Sequence, residues 1–190
     1  MLRRFKHFFE NFVYIQSCGE LIKPKMNDEQ LNFIQDIMSN NVVKDFTQKR
    51  QKGYSTVALA FCLYNMMHKD NIKIAYICDN NSMKIESFLK FRSLIKNIDD
   101  SIVPNGLEIK VTKLHNEVEF TNGSSIKFTN SSDLNGRIFD YIFVDNNYRN
   151  DLSNLFPLKL KKISEEVLDN SIPIYKVSWD TKLIIFRSYE

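Results

Sequence analysis

The chain has 190 residues, 43% of them apolar and 26% charged, with a formal charge of +3. That length supports one domain with a real core and is too short for two comfortable ones, and the composition excludes a disordered or fibrous class. The weakly basic balance by itself neither demands nor excludes nucleic acid. Cys18, Cys62 and Cys78 share no metal-type spacing, and two of them sit inside predicted core elements, a usage that fits buried thiols in a reducing compartment. No segment nears the ~20 apolar residues of a membrane span, and the basic start MLRRFKHFFENFVYI has no continuous apolar run, so neither export nor insertion is expected.

Residues 1–40 read as a helical, aromatic preface packed on the core, and 41–190 as the main α/β domain. Phe5, Phe8, Phe9 and Phe12 fall at helical spacing, a stripe that marks core contact or, alternatively, a membrane-surface or partner helix. Asn27 or Asp28 can then cap a helix running through Leu31, Ile34 and Ile37.

The organising stretch is Val43 to Ala60, a short strand, a basic loop with Gly53, and a helix opening on Ser55 and Thr56. Such a corner offers backbone N–H groups and a positive helix end to a phosphate. It resembles a P-loop with two departures: the lysine after the last glycine is Tyr54, and the earlier glycine is missing. Val57 to Met67 continues as an apolar helix, with His68 suiting its negative end. KIAYICDN reads as a parallel strand buried on both faces. The helix from Ser82 to about Ile95 puts Phe88, Phe91 and Leu94 on one side; its Lys84, Lys90, Arg92 and Lys96 form a solvated face or approach a phosphate backbone.

From Leu107 the pattern alternates. LEIKVTKLHNEVEF, TNGS and SSIKFTN make antiparallel strands, with Asn122 and Gly123 supplying positive φ at the turn. After the polar turn Asp133 to Arg137, the apolar strand Tyr141 to Val144 delivers Asp145 at its C-terminal end, where open α/β sheets place ligands. Position 146 is asparagine, which can orient a water but cannot take its proton. An irregular stretch and a helix over 151–170, then the apolar strand TKLIIFRS, complete the domain.

In order and spacing, Gln30, RQKGYST, IAYICDN, VEFTNGSSIKF and RIFDYIFVDN resemble the ATPase domain of the large terminase subunit of tailed bacteriophages, from about Phe9 to the last strand. In that family the loop reads RQ-x-GK-[ST], the hairpin often NGSSI, and the second motif an apolar strand ending in Asp-Glu. The resemblance implies a P-loop NTPase-like three-layer sandwich, with a mainly parallel central sheet and an added antiparallel hairpin.

It also implies ATP and Mg²⁺ as cofactors. Gln30 matches an adenine-reading glutamine, Arg50, Gln51 and Gly53 match the loop, Ser55 matches the metal hydroxyl with Thr56 beside it, and Asp145 matches the metal-holding aspartate. Tyr54 stands at the phosphate lysine and Asn146 at the catalytic glutamate; Lys49, or else Lys52, is the substitute lysine. Asp140 begins its strand at the wrong end to replace the glutamate, and Asp151 serves only if its loop folds back.

Double-stranded DNA, portal and other terminase subunits are the implied partners, a homo-oligomer is allowed, and the host cytoplasm is the implied compartment. The family's nuclease domain is expected to be absent. The expectation is a packaging ATPase module with weakened nucleotide binding and doubtful hydrolysis. The alternatives are a pseudo-ATPase acting as a binding piece and a DNA-binding domain indifferent to ATP.

Overall fold

The computed structural model describes residues 1–39, 43–49, 53–78, 80–112, 116–129, 139–147, 161–162, 175–176 and 182–189. In chain order these form α1 (Leu2–Phe12), a hairpin of β1 (Ile15–Ser17) and β2 (Glu20–Ile22), α2 (Asp28–Met38), β3 (Val43–Lys49), α3 (Tyr54–His68), β4 (Lys73–Cys78) and α4 (Asn81–Lys96). A 3₁₀ turn at Asp100–Ile102 leads to β5 (Ile109–Thr112), β6 (Glu117–Phe120), β7 (Ser125–Thr129) and β8 (Tyr141–Asn147). The two-residue strands β9 (Lys161–Lys162) and β10 (Tyr175–Lys176) pair with each other, and β11 (Lys182–Tyr189) closes the order.

Seven strands make one sheet in the order β3-β11-β8-β4-β7-β6-β5. The first five are parallel, and β6 and β5 extend the sheet antiparallel at one edge. The expected α/β class, a mainly parallel sheet carrying an antiparallel hairpin, is the one found. Parallel strands need cover on both sides, which explains the near-continuous apolar runs of β4 and β8. Tyr76 and Phe143 stack on one face with ring centroids 6.1 Å apart, and Ile77, Ile142 and Val144, of opposite parity, are equally buried.

The face carrying Tyr76 holds the helices. Residues 57–67 of α3 are all buried, as a helix apolar all round must be. Phe61 packs edge-on against Tyr141 at 6.0 Å, and Phe88 and Phe91 of α4 meet Phe128 of β7 at 5.7 and 5.6 Å. The aromatic stripe of α1 faces inward: Phe5, Phe8 and Phe9 are buried, and Phe5 meets Phe61 at 5.5 Å and Tyr64 at 5.6 Å. Core contact, rather than a membrane surface, therefore accounts for that stripe. Asn27 caps α2 in a reciprocal box with Gln30, an arrangement worth about 1 kcal/mol. The α4 cations behave as a solvated face where their contacts are described: Lys90 pairs with Glu86 at 3.3 Å, and Arg92 lies over the Phe88 ring.

Two local features differ from expectation. The β1–β2 hairpin has a two-residue turn, Cys18 and Gly19, with φ of 49° and 88°. The sequence signal is only Cys-Gly, a poor match to the usual Asn-Gly or Asp-Gly of such turns. At the second hairpin only Gly123 has positive φ (81°), so Asn122 does not supply it. Asn122 works through its side chain instead. Its Nδ2 donates to the Met66 carbonyl at 2.8 Å and the Lys69 carbonyl at 3.2 Å, and its Oδ1 accepts from the Ser124 amide at 3.0 Å. Ser124 Oγ donates to the Lys69 carbonyl at 2.8 Å and accepts from the Ile72 amide at 3.1 Å. The NGSS turn is thus a clamp on the C-terminal end of α3, and it satisfies carbonyls that a helix end leaves open.

Candidate functional site

The site is assembled where β3 hands over to α3. Strand β3 ends at Lys49, and Gly53 is the N-cap of α3 with φ 74° and ψ 12°, the left-handed region. The conformation favours glycine, and a Cβ at Gly53 would also stand 3.0 Å from Gln30 Nε2, which would have to give by a few tenths of an ångström. The Gly53 carbonyl accepts the Val57 amide at 3.0 Å, closing the first turn. Gly53 has no side chain with which to cap this helix, so at Tyr54, Ser55 and Thr56 the first turn brings backbone N–H groups and the positive helix end to this corner.

Strand register carries β8 to the same corner. Asp145 pairs with Phe186 of β11, and Phe186 pairs with Phe46 of β3, so all three strands point their C-terminal ends the same way. Ser55 Oγ donates to Asp145 Oδ2 at 3.0 Å, a contact spanning 90 residues of chain. The Tyr76 hydroxyl donates to the same oxygen at 3.1 Å from the adjacent strand. Asp145 is buried, and loss of hydration pushes its carboxyl up to about 6; the two hydroxyls and Lys90 pull the other way, while Glu86 adds to the rise. Burial and the Asp145 charge hold the Tyr76 hydroxyl well above the usual phenol range. Beside them Cys78, in register with Asp145, is pushed up to about 12 by burial against the opposing hydrogen bond with Ser87. It is therefore an inert thiol rather than a nucleophile.

Gly53, Ser55 and Asp145 meet, with Gln30 against the corner. Gln30 holds two positions at once: Oε1 accepts the Asn27 amide at 3.2 Å while Nε2 faces Gly53. Tyr54 turns toward α2. Its ring meets Phe33 edge-on at 5.1 Å, and partial burial together with a hydrogen bond to Glu29 raises its hydroxyl above the usual range. Lys49 is the last residue of β3, and Asn146 follows Asp145 in β8. Asp140 lies at the opposite end of β8, accepting the Lys73 amide at 2.7 Å, about 17 Å from Asp145 along the strand. Arg50, Gln51 and Lys52, the turn at 133–137 and Asp151 lie outside the described residues.

Tyr76 is the residue that sequence reading missed. Its signal was a phenol inside an otherwise apolar buried strand, since a buried tyrosine hydroxyl needs a partner. Among the described residues no cluster of three or more His, Cys, Asp or Glu forms a ready cation site. The donor set here is a different one, a serine hydroxyl and one buried carboxylate. A carboxylate pushed up by burial gains from a cation beside it, so these residues fit a hard divalent ion that completes its shell with other oxygens. Among the described residues no helix is long and apolar enough to cross a membrane.

No family model matches the sequence, and no curated protein matches it. Solved structures do. The large terminase of bacteriophage HK97 superposes with a TM-score of 0.63 at 13% identity, over 98% of this chain and 37% of that one. An arginine-to-alanine mutant of the Thermus phage P74-26 large terminase ATPase domain gives 0.61 at 13% identity, over 87% of this chain and 66% of that one. Another structure of that ATPase domain gives 0.56 at 14% identity, covering 85% and 81%. The chain thus spans about two thirds of the mutant ATPase domain and just over a third of the HK97 protein. Its fold is that of the large terminase ATPase domain of phages.

Proposed function

We propose that this chain is a terminase-type nucleotide-binding module whose β3–α3 corner receives the phosphates of ATP with Mg²⁺. The Ser55–Asp145 hydrogen bond at the N-terminus of α3 carries the reading, because it joins a hydroxyl, a carboxylate and the positive end of a helix in one place. Ser55 and Asp145 would hold the ion, which when bound neutralises phosphate charge. With such an ion held, the Ser55 hydroxyl would turn its lone pairs to the ion in place of its hydrogen bond to Asp145, and the Tyr76 hydroxyl would still orient the carboxylate. In this reading Gln30, whose Oε1 is held by the α2 cap, turns its Nε2 to a base edge, and Lys49, Arg50 and Lys52 supply charge.

Tyr54 stands where a phosphate lysine would and is engaged with Phe33 and Glu29. Asn146 cannot act as a base. Removing one preorganised charge stabiliser costs ~10² to 10³ in rate, so turnover by this chain alone is slow, and the pseudo-ATPase reading rests on the same two residues. We further propose the setting that the fold suggests: work on double-stranded DNA with portal or other terminase subunits, in the host cytoplasm.

The test is a thermal-shift titration with ATP and Mg²⁺ on the full chain. Saturation at about a hundred times Kd should add ~2.7 kcal/mol of stability. Asp145→Ala should abolish the Mg²⁺-dependent part, and Tyr54→Lys should tighten binding. No shift in either the parent chain or Tyr54→Lys would overturn the reading. Motor-like turnover abolished by Asp145→Ala would overturn its hydrolytic half.

A further inference from the structure

At the other end of α3, about 20 Å from Ser55 along the helix axis, α1 and α3 enclose a groove of about 730 Å³. Arg3, Arg4 and Lys69 stand around it, and Phe12, Tyr64 and His68 form its walls. The volume is that of a small-ligand site. No Asp or Glu is among the described residues that line it.

Three observations point to an anionic occupant. Arg3 and Arg4 lie in the first turn of α1, which carries no acidic residue, so both cations sit at the helix end that repels them. Neither makes an ion pair with a described residue. Lys69 is half-buried, with Nζ 3.5 Å from the Tyr141 hydroxyl and 5.9 Å above its ring; burial pulls its ammonium below the usual lysine range against the opposing pull of Asp140. A phosphate here would offset both costs. The walls in turn offer flat rings. His68 stacks on Tyr64 at 4.3 Å, and its Nδ1 lies 2.8 Å from the Tyr64 carbonyl, which can only accept, so the ring is held in place. Cations alternating with fixed aromatic planes suit a phosphate joined to a base better than an acidic peptide, which has no ring to stack.

We propose that this groove is a second site, separate from the Ser55 corner, for a nucleotide unit. Its phosphate lies on Arg3, Arg4 and Lys69, and its base lies against Phe12 and the outer face of His68, which Tyr64 backs. The unit arrives either as a free nucleotide or as part of a single-stranded polynucleotide.

The experiment is fluorescence anisotropy on the full chain without Mg²⁺, with fluorescein-labelled oligo(dT) and a fluorescent ADP analogue as probes. Each is repeated on Ser55→Ala/Asp145→Asn, which disables the first site. Binding should survive that double substitution. Arg3→Ala/Arg4→Ala should weaken it at least tenfold and, for the oligonucleotide, lower the slope of log K against log salt by about 1.4. Phe12→Leu and His68→Ala should weaken it severalfold at unchanged slope, whereas Lys110→Ala on β5 should leave it unaltered. Binding of the ADP analogue assigns a free nucleotide, and binding of oligo(dT) alone assigns a strand. The proposal falls if Arg3→Ala/Arg4→Ala leaves both probes bound, if neither probe binds, or if an abasic oligonucleotide binds as well as oligo(dT). It falls equally if polyglutamate of matched charge displaces the probe as well as unlabelled oligo(dT), the mark of an acidic-peptide groove.

Discussion

The two ends of α3 are finished in opposite ways. At its C-terminal end Asn122 and Ser124 saturate the carbonyls of Met66 and Lys69, and the Lys73 ammonium takes the Gly123 carbonyl at 2.7 Å. At its N-terminal end the N-cap is a glycine with no side chain to offer, and Ser55 of the first turn meets a buried carboxyl held by two hydroxyls. α3 is thus tied down by side chains at its C-terminal end, while its N-terminal end faces the Ser55–Asp145 pair.

The largest way to test that contrast is through pH. A carboxyl titrating near 6 in the fold, rather than near 3.8, binds its proton more tightly in the native state than in the open chain. Its contribution is therefore fully present below about pH 4 and lost as pH rises through 6, amounting to about 3 kcal/mol. The unfolding free energy of the ligand-free chain, measured in urea from pH 4 to 8, should fall by that much relative to Asp145→Asn. Parallel pH profiles would show that the N-terminal end stores no such cost.

Next is the C-terminal end. Asn122→Ala strips two carbonyls and one amide of their partner and should destabilise by about 2 kcal/mol, independent of pH between 6 and 8. If its effect instead depended on ATP and Mg²⁺, the two ends would not be separable. Gly53→Ala, with φ 74° and Gln30 Nε2 in the way, should cost about 1 kcal/mol and should weaken nucleotide binding by more than the stability loss explains. The smallest effect is that of Tyr54→Phe. It removes the hydrogen bond to Glu29 but keeps the Phe33 contact, so a loss under about 1 kcal/mol with unaltered ATP affinity is expected, read by thermal melts.

Much of the arrangement was legible because it is local. The stripe Phe5, Phe8, Phe9, the cap at Asn27, the buried run of α3 and the strand leading to Asp145 each follow from spacing within a dozen residues. The β1–β2 hairpin was not legible, because Cys18 is an uncommon residue at positive φ and the strands have three residues each. Nor was the work of Asn122: an Asn-Gly pair signals a turn, while the carbonyls it serves belong to a helix more than 50 residues earlier. Tyr54 illustrates the same limit, since only the approach of α2 decides whether its ring faces a phosphate or Phe33.

By itself the sequence determined the periodicities, hence which segments are helices and strands and which faces are apolar, because those depend on neighbours a few residues apart. The tertiary structure alone decided that Ser55, Tyr76 and Asp145 share one oxygen, since they come from one helix and two strands separated by up to 90 residues. Parallel pairing of β4, β8 and β11 sets that meeting, and the burial it imposes is what turns an ordinary aspartate into a carboxyl that titrates near 6.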